Sequence, residues 1–187
     1  RNRQEALERR AVHEIAATLA AAVAGAEIVI LAVPVEKVQA VVAEAAPYLR
    51  PGTIVTDVAS VKGVLSHSIP SVLPDGVYYI GGHPMTGAEQ SGIWAADPFL
   101  FQNAVYLLTP GADLPPAVID EVRTLITAIG GLPLLLEPEE HDLMVAVVSH
   151  LPHLTAAAMV NVAACFEAAH PGTLSLAAGG FRDTTRV

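Results

Sequence analysis

Cysteine occurs once in this chain of 187 residues, at Cys165, so no intrachain disulfide can form. Such sparing thiol use assigns the chain by default to the reducing cytoplasm. Lysine occurs only at Lys37 and Lys62, and the 10 Lys and Arg face 19 Asp and Glu, a formal net charge of −9. A binder of the phosphate backbone carries a basic stripe, so nucleic acid is excluded as a partner class. An anionic ligand would need a few local cations to hold it against this acidic background. Charge is scarce overall, 16% of residues against 52% hydrophobic, which excludes disorder and requires a large buried core or interface. The opening stretch RNRQEALERR is charged and helix-prone and does not read as a secretory leader. The longest apolar stretch, residues 143–166, is interrupted by His150, Pro152, His153 and Asn161, and it reads as a buried helix, not a membrane span.

What is present is an alternation of short apolar runs with helical patterns. AEIVILAVP (26–34) predicts a strand buried on both faces, followed by strands at TIVTDV (53–58), VYYIGG (77–82), AVYLLTP (104–110) and LPLLLE (132–137). Val35, Val38, Val41, Val42 and Ala45 recur at helical spacing until Pro51 and Gly52 break the pattern. VKGVLSHSI predicts a short helix, and residues 115–131 predict a longer one, with Pro115 and Pro116 in its first turn and Gly130 at its C-terminal cap. Strands alternating with helices predict an α/β fold with a mostly parallel sheet covered on both faces. Ligands of such sheets sit outside the carboxyl ends of the strands. After Glu137 the strand signal stops, which places a boundary between an α/β domain, residues 1–136, and an all-helical one, residues 137–187. The helical part is too apolar all round for a surface helix, so it is expected to pack into a bundle shared with a second subunit.

The loops at the predicted carboxyl ends are AVPVEK, DVASVKG and GGHPMTGAEQSG. In the third, His83 follows two glycines at a strand end and precedes Pro84, which stiffens the backbone behind it. The glycines would let backbone and ligand approach closely. An imidazole there suits general-base work near neutral pH, and the alternative is a turn histidine that caps a strand. In DVASVKG, Ser60 either meets a ligand or caps the next helix. Glu89 either orients a neighbour or is simply solvated. SHLPH carries His150 and His153 three residues apart, with Asp142 eight residues before His150. A metal pair, satisfied core histidines and polar ligand contacts all stay open, although no H-E-x-x-H or cysteine cluster is present. Arg182 and Arg186 are four apart, the spacing of one helix face, and either can hold a carboxylate bidentately or be an ordinary surface arginine. No G-x-G-x-x-G fingerprint occurs, which suggests that a first βαβ portion lies outside this stretch.

Five of these pieces in order, ILAVPV, DVASVKG, GGHPMTGAEQSG, HDLMVAVVSHLPH and GGFRDTTRV, resemble the prephenate and arogenate dehydrogenases of tyrosine biosynthesis over residues 25–187. The resemblance implies a Rossmann-like domain, incomplete at its N-terminus here, followed by an all-helical dimerisation domain of which later helices are absent. It implies NAD or NADP as cofactor, prephenate or arogenate as small-molecule substrate, and a homodimer. By the same resemblance His83 matches the catalytic histidine and Ser60 a serine on the same reacting hydroxyl. Glu89 and Asp142 match acidic residues of the active-site network. His150 and His153 match a helical histidine pair, and Arg186 matches the arginine for a substrate carboxylate. AVPVEK and DVASVKG supply Ala32, Val33, Pro34 and Ala59 as cofactor-binding candidates, and no metal is implied. Arg1, Asn2 and Arg3 stand about where an acidic ribose-binding residue is expected, and their character hints at NADP.

The chemistry so implied is hydride loss from the ring carbon bearing a hydroxyl, removal of the hydroxyl proton by His83, and loss of the ring carboxylate to give an aromatic product. Two alternatives remain at this point. One is a non-catalytic dimeric nucleotide-binding module. The other is a β-hydroxyacid dehydrogenase, which would rely on a lysine of the helical domain, whereas no lysine follows Lys62.

Overall fold

The computed structural model describes residues 2–87 and 92–186, with the backbone alone for residue 2. The chain divides into two compact units, Arg1–His141 and Asp142–Val187. In the first, helices α1 (Asn2–Glu8) and α2 (Leu19–Val23) precede strand β1 (Ile28–Leu31). Helix α3 (Val35–Ala45), strand β2 (Ile54–Asp57), helix α4 (Gly63–Ser68) and strand β3 (Tyr78–Pro84) follow. Strand β4 (Val105–Pro110), helix α5 (Pro116–Ala128) and strand β5 (Leu132–Leu135) complete the sheet, whose order is β1-β2-β3-β4-β5. Every predicted strand is present, and Gly130 stands just past α5 with φ 88°, the left-handed conformation that ends a helix.

Alternation along the strands builds two cores. Val55 and Tyr79 turn to the face covered by α3 and α4, where they meet Val38, Val42, Leu65 and Ile69. Ile54 and Ile80 turn to the opposite face and pack with Tyr106, Leu108 and the α5 residues Val118, Val122 and Ile126. Each fully buried Val, Leu or Ile contributes about 1.5–3 kcal/mol.

Three expectations change. β1 is not buried on both faces: Ile30 is 53% exposed, because the α5-side core gathers on Ile54, Ile80 and Leu108 and does not extend over the end of β1. The sheet is parallel at β1–β2, β2–β3 and β4–β5 but antiparallel at β3–β4. In consequence β3 does not stop at the glycines. Gly81, Gly82, His83 and Pro84 pair with Thr109, Leu108, Leu107 and Tyr106, so His83 lies within a strand.

Helix α6 (Pro138–Val145) begins at the end of the first unit and runs through a π-helical turn (Ala146–His150) into α7 (Leu151–Ala169). Pro152, expected to distort the helix, follows just after that π-helical turn, a local widening of the kind that accommodates a residue without an N–H inside a continuous helix. The wider turn just before it bonds Leu151 N–H to the Ala146 carbonyl. The whole run, Pro138–Ala169, is long and apolar enough to cross a membrane by length and composition. Within this chain the run is not covered: only Ala156 of α7 is buried, while Leu151, Leu154, Val160, Val162 and Phe166 are exposed. Glu167 accepts hydrogen bonds from the N–H groups of Gly172 (3.0 Å) and Leu174 (2.8 Å), which shapes the turn before α8 (Gly179–Thr185).

Candidate active site

Because β1, β2 and β3 run parallel, their carboxyl ends share one edge of the sheet. Ala32, Val33 and Pro34 follow β1 there, Ser60 follows β2, and His83 lies one residue from the end of β3. Ala32 and Pro34 are exposed and Val33 is half-buried. Pro34 is the N-cap of α3 and no side chain caps that helix, so its first-turn N–H groups have no side-chain acceptor.

The turn after β2 is set by Asp57, which is fully buried. Its Oδ1 accepts a hydrogen bond from the Ala59 N–H at 2.8 Å and pairs with the ammonium of Lys62, also fully buried. Its Oδ2 accepts from the Tyr79 hydroxyl at 2.7 Å. Burial, then the charge of the Asp57 carboxylate and the hydrogen bond to it, push the Tyr79 phenol far above its ordinary range, so it remains a donor. One of the chain's two lysines is thereby committed to an internal ion pair. Lys62, not Ser60, is the N-cap of α4, and it makes no side-chain cap bond. Ser60 is exposed, and its hydroxyl makes no hydrogen bond among the described residues. Ala59 is buried and its N–H is already taken by Asp57, so it can offer a cofactor only a small side chain.

The same cluster corrects the reading of the glycines. A Cβ on Gly81 would stand 2.4 Å from Thr109 Oγ1 and 2.9 Å from Lys62 Cδ. One on Gly82 would stand 2.4 Å from the Asp57 carbonyl oxygen. The missing side chains make room for the protein's own buried groups, not for a ligand.

His83 is half-buried, and its Nδ1 lies 2.9 Å from Nε2 of His141, with ring centroids 5.1 Å apart and planes tilted by 59°. His141 is fully buried on α6. Sequence reasoning quoted the HD dipeptide but singled out only Asp142. The two histidines are 58 residues apart, and no local spacing announces their pairing. Tyr79 likewise carries no sequence signal beyond its place in a strand.

In the second unit Asp142 is half-buried and His150 exposed. His153 is exposed, with Nδ1 at 2.9 Å from the Ser149 carbonyl oxygen. Arg182 is exposed on α8, while Arg186 is exposed beyond its end with φ −92° and ψ 75°, so the two do not stack one turn apart on a helix. Arg3 is exposed on α1, whereas Glu89 and Arg1 lie outside the described residues. Among the described residues no group of three or more His, Cys, Asp and Glu side chains is placed to hold a metal ion.

The profile of the family "Prephenate dehydrogenase, nucleotide-binding domain" matches residues 1–133, and that of "Prephenate dehydrogenase, dimerization domain" matches residues 137–187. The chain is 38% identical over 160 residues to prephenate dehydrogenase of Bacillus subtilis, which covers 85% of this chain and 43% of that protein. It therefore spans less than half the length of that relative. Among solved structures, Synechocystis arogenate dehydrogenase superposes with a TM-score of 0.84 at 33% identity, over 99% of this chain and 66% of that one. Prephenate dehydrogenase from A. aeolicus, in complex with hydroxyphenyl propionate and NAD+, gives 0.88 at 28% identity, over 98% of this chain and 64% of that one.

Proposed function

Because this chain belongs to the prephenate dehydrogenase family, we propose that the full-length protein carries out NAD(P)-dependent oxidative decarboxylation of prephenate to 4-hydroxyphenylpyruvate and carbon dioxide. The observation that carries this reading is His83. It stands at the carboxyl edge of the parallel strands, with one ring nitrogen engaged by His141 and Ser60 exposed along the same edge. The small, exposed residues Ala32 and Pro34 and the uncapped start of α3 fit a nicotinamide nucleotide, which needs close approach and backbone donors. Ala32, Val33, Pro34 and the side chain of Ala59 would line it. When bound, that group supplies the hydride acceptor.

The residues of this chain do the rest. His83 takes the proton of the ring hydroxyl at Nε2, the ring nitrogen other than the one at His141, as the carbonyl forms. Ser60 hydrogen-bonds the same hydroxyl and fixes its direction. Glu89 and Asp142 are assigned to acidic residues of the active-site network on the strength of the family resemblance alone. Arg186 holds a substrate carboxylate, and His150 and His153 contribute polar contacts to the substrate. With Nδ1 against the Ser149 carbonyl, His153 carries a proton on that nitrogen and presents Nε2. The exposed apolar residues of α7 support a homodimer formed through the helical unit, in line with the dimerization-domain match. The sparing use of cysteine supports a cytoplasmic location.

The similarity to arogenate dehydrogenase favours arogenate as the second substrate reading. Assaying the full-length protein with each substrate and each nicotinamide cofactor, by absorbance of the reduced cofactor, decides between them. Turnover of prephenate with the higher kcat/KM is expected, and His83→Asn should lower kcat by roughly 10²- to 10⁴-fold. Absence of turnover with both substrates would overturn the proposal.

A further inference from the structure

We infer that His141 is a positioning residue that fixes the proton of His83 on Nδ1, so that Nε2 is the basic atom. This rests on the proposed role of His83. Two ring nitrogens 2.9 Å apart share one hydrogen, so one must donate and the other accept. Neutral imidazole has one protonated and one bare nitrogen, and only the bare one can accept a proton. If His141 donated, His83 Nδ1 would be the acceptor and Nε2 would carry a hydrogen, which makes it useless as a base. Donation from His83 Nδ1 to His141 Nε2 gives the working tautomer. It also keeps its hydrogen bond when His83 becomes an imidazolium.

The pair is held in place by the fold. His83 is paired to Leu107 in the β3–β4 ladder, and His141 is fully buried on a helix whose first turn bonds its N–H to the Glu137 carbonyl at 2.9 Å. A buried, packed ring has few rotamers, so its Nε2 is held at a fixed place, and the inferred tautomer makes it the acceptor. Serine hydrolases use a carboxylate for this orienting role. Here a carboxylate would set a negative charge beside a substrate that carries two of its own, in a chain already at −9. An imidazole fixes the tautomer without that repulsion.

The test reads the tautomer directly. Long-range ¹H–¹⁵N correlation spectra of the full-length protein, with His83 assigned by its loss in His83→Asn, should show His83 protonated on Nδ1. In His141→Leu the hydrogen should move toward Nε2, the site preferred by a histidine side chain free in water. The value of kcat should then fall roughly 10- to 10²-fold, part of the general-base contribution, with KM within about twofold. His141→Gln, whose side-chain oxygen can accept from Nδ1, should keep the wild-type tautomer and recover kcat to within about fivefold. A wild-type His83 protonated on Nε2 overturns the inference, and so does a His141→Leu variant that keeps both the Nδ1 proton and its kcat. Should His141→Leu fail to fold, the wild-type and His141→Gln spectra still decide. Should no substrate turn over, the reading of the function fails, while the tautomer measurement continues to judge the pair.

Discussion

Removing the ammonium from beneath the sheet edge is the sharpest test of how the site is held. Lys62→Met keeps most of the buried stem and deletes the charge. Both Lys62 and Asp57 have side chains with 0% exposure, so water cannot replace the lost partner. Asp57 keeps two donors, the Ala59 N–H and the Tyr79 hydroxyl, but it becomes a buried anion without a counter-charge. Breaking a buried ion pair from one side costs about 3–5 kcal/mol. Every 1.4 kcal/mol is tenfold in an equilibrium constant, so amide exchange of β2 and β3 peptides through global opening should speed up by roughly 10²- to 10³·⁵-fold. Hydrogen exchange followed by mass spectrometry on the full-length protein measures this locally. The double variant Asp57→Asn with Lys62→Met should lose less than the sum of the single losses, by about 1–3 kcal/mol, because the second change removes the uncompensated charge. A Lys62→Met protein with exchange within a factor of about 5 of wild type, that is a loss below about 1 kcal/mol, would refute the claim that the pair organises this edge.

Three further outcomes follow from the same residues. Gly81→Ala should destabilise by about 1–3 kcal/mol, lowering Tm by several degrees, because its Cβ meets Thr109 Oγ1 and Lys62 Cδ; adding Thr109→Ala should recover part of the loss. Burial, then the charge of Asp57, pushes the Tyr106 phenol up to about 12, so its unfolded form ionises first. The stability it contributes is complete below about pH 10 and is lost as pH climbs toward about 12. Urea midpoints at about pH 9 and pH 11 should therefore differ less in Tyr106→Phe than in wild type, and an equal drop in both would count against this assignment. Arg186→Ala should raise KM for prephenate roughly 10- to 10²-fold, the value of a charged hydrogen bond, with kcat nearly constant; an unchanged KM would remove it from the substrate site.

Much of the fold was legible because each strand is a short apolar run closed by a turn signal. Direction was not. A strand of alternating side chains reads the same whether its neighbour runs with it or against it, so the antiparallel β3–β4 pair, and with it the extension of β3 through His83, had no sequence signature. Burial was legible as composition and not as location. The apolar composition of α7 reads as burial, but within this chain Leu151, Leu154 and Phe166 are exposed, because composition does not say which surface an apolar side chain meets.

At the site, residue types drew attention to the loops at the carboxyl edge of the sheet, and the structure gives several residues in those loops a structural task. The two glycines before His83 read as room for a ligand, while Asp57 and Lys62 carry no assignment in the sequence. They form a buried support instead, with the lysine stem running where a Gly81 side chain would be and the carboxylate tying Tyr79 to the Ala59 turn. The physical reason is that a charged pair can be buried only where its neighbours leave space, and that space is a property of two strands brought together, not of either one. His141 was overlooked on the same principle, since an orienting residue is defined by the atom it faces. On the proposed reading, the chemistry of such an edge is divided between accessible groups that act, the exposed Ser60 and the half-buried His83, and covered groups that aim them. Only the first kind leaves a local mark in the sequence. A variant series that separates the two is informative. Changes at the exposed groups should alter kcat with little effect on exchange, whereas changes at Asp57 or Lys62 should alter exchange of β2 and β3 before they alter the chemistry.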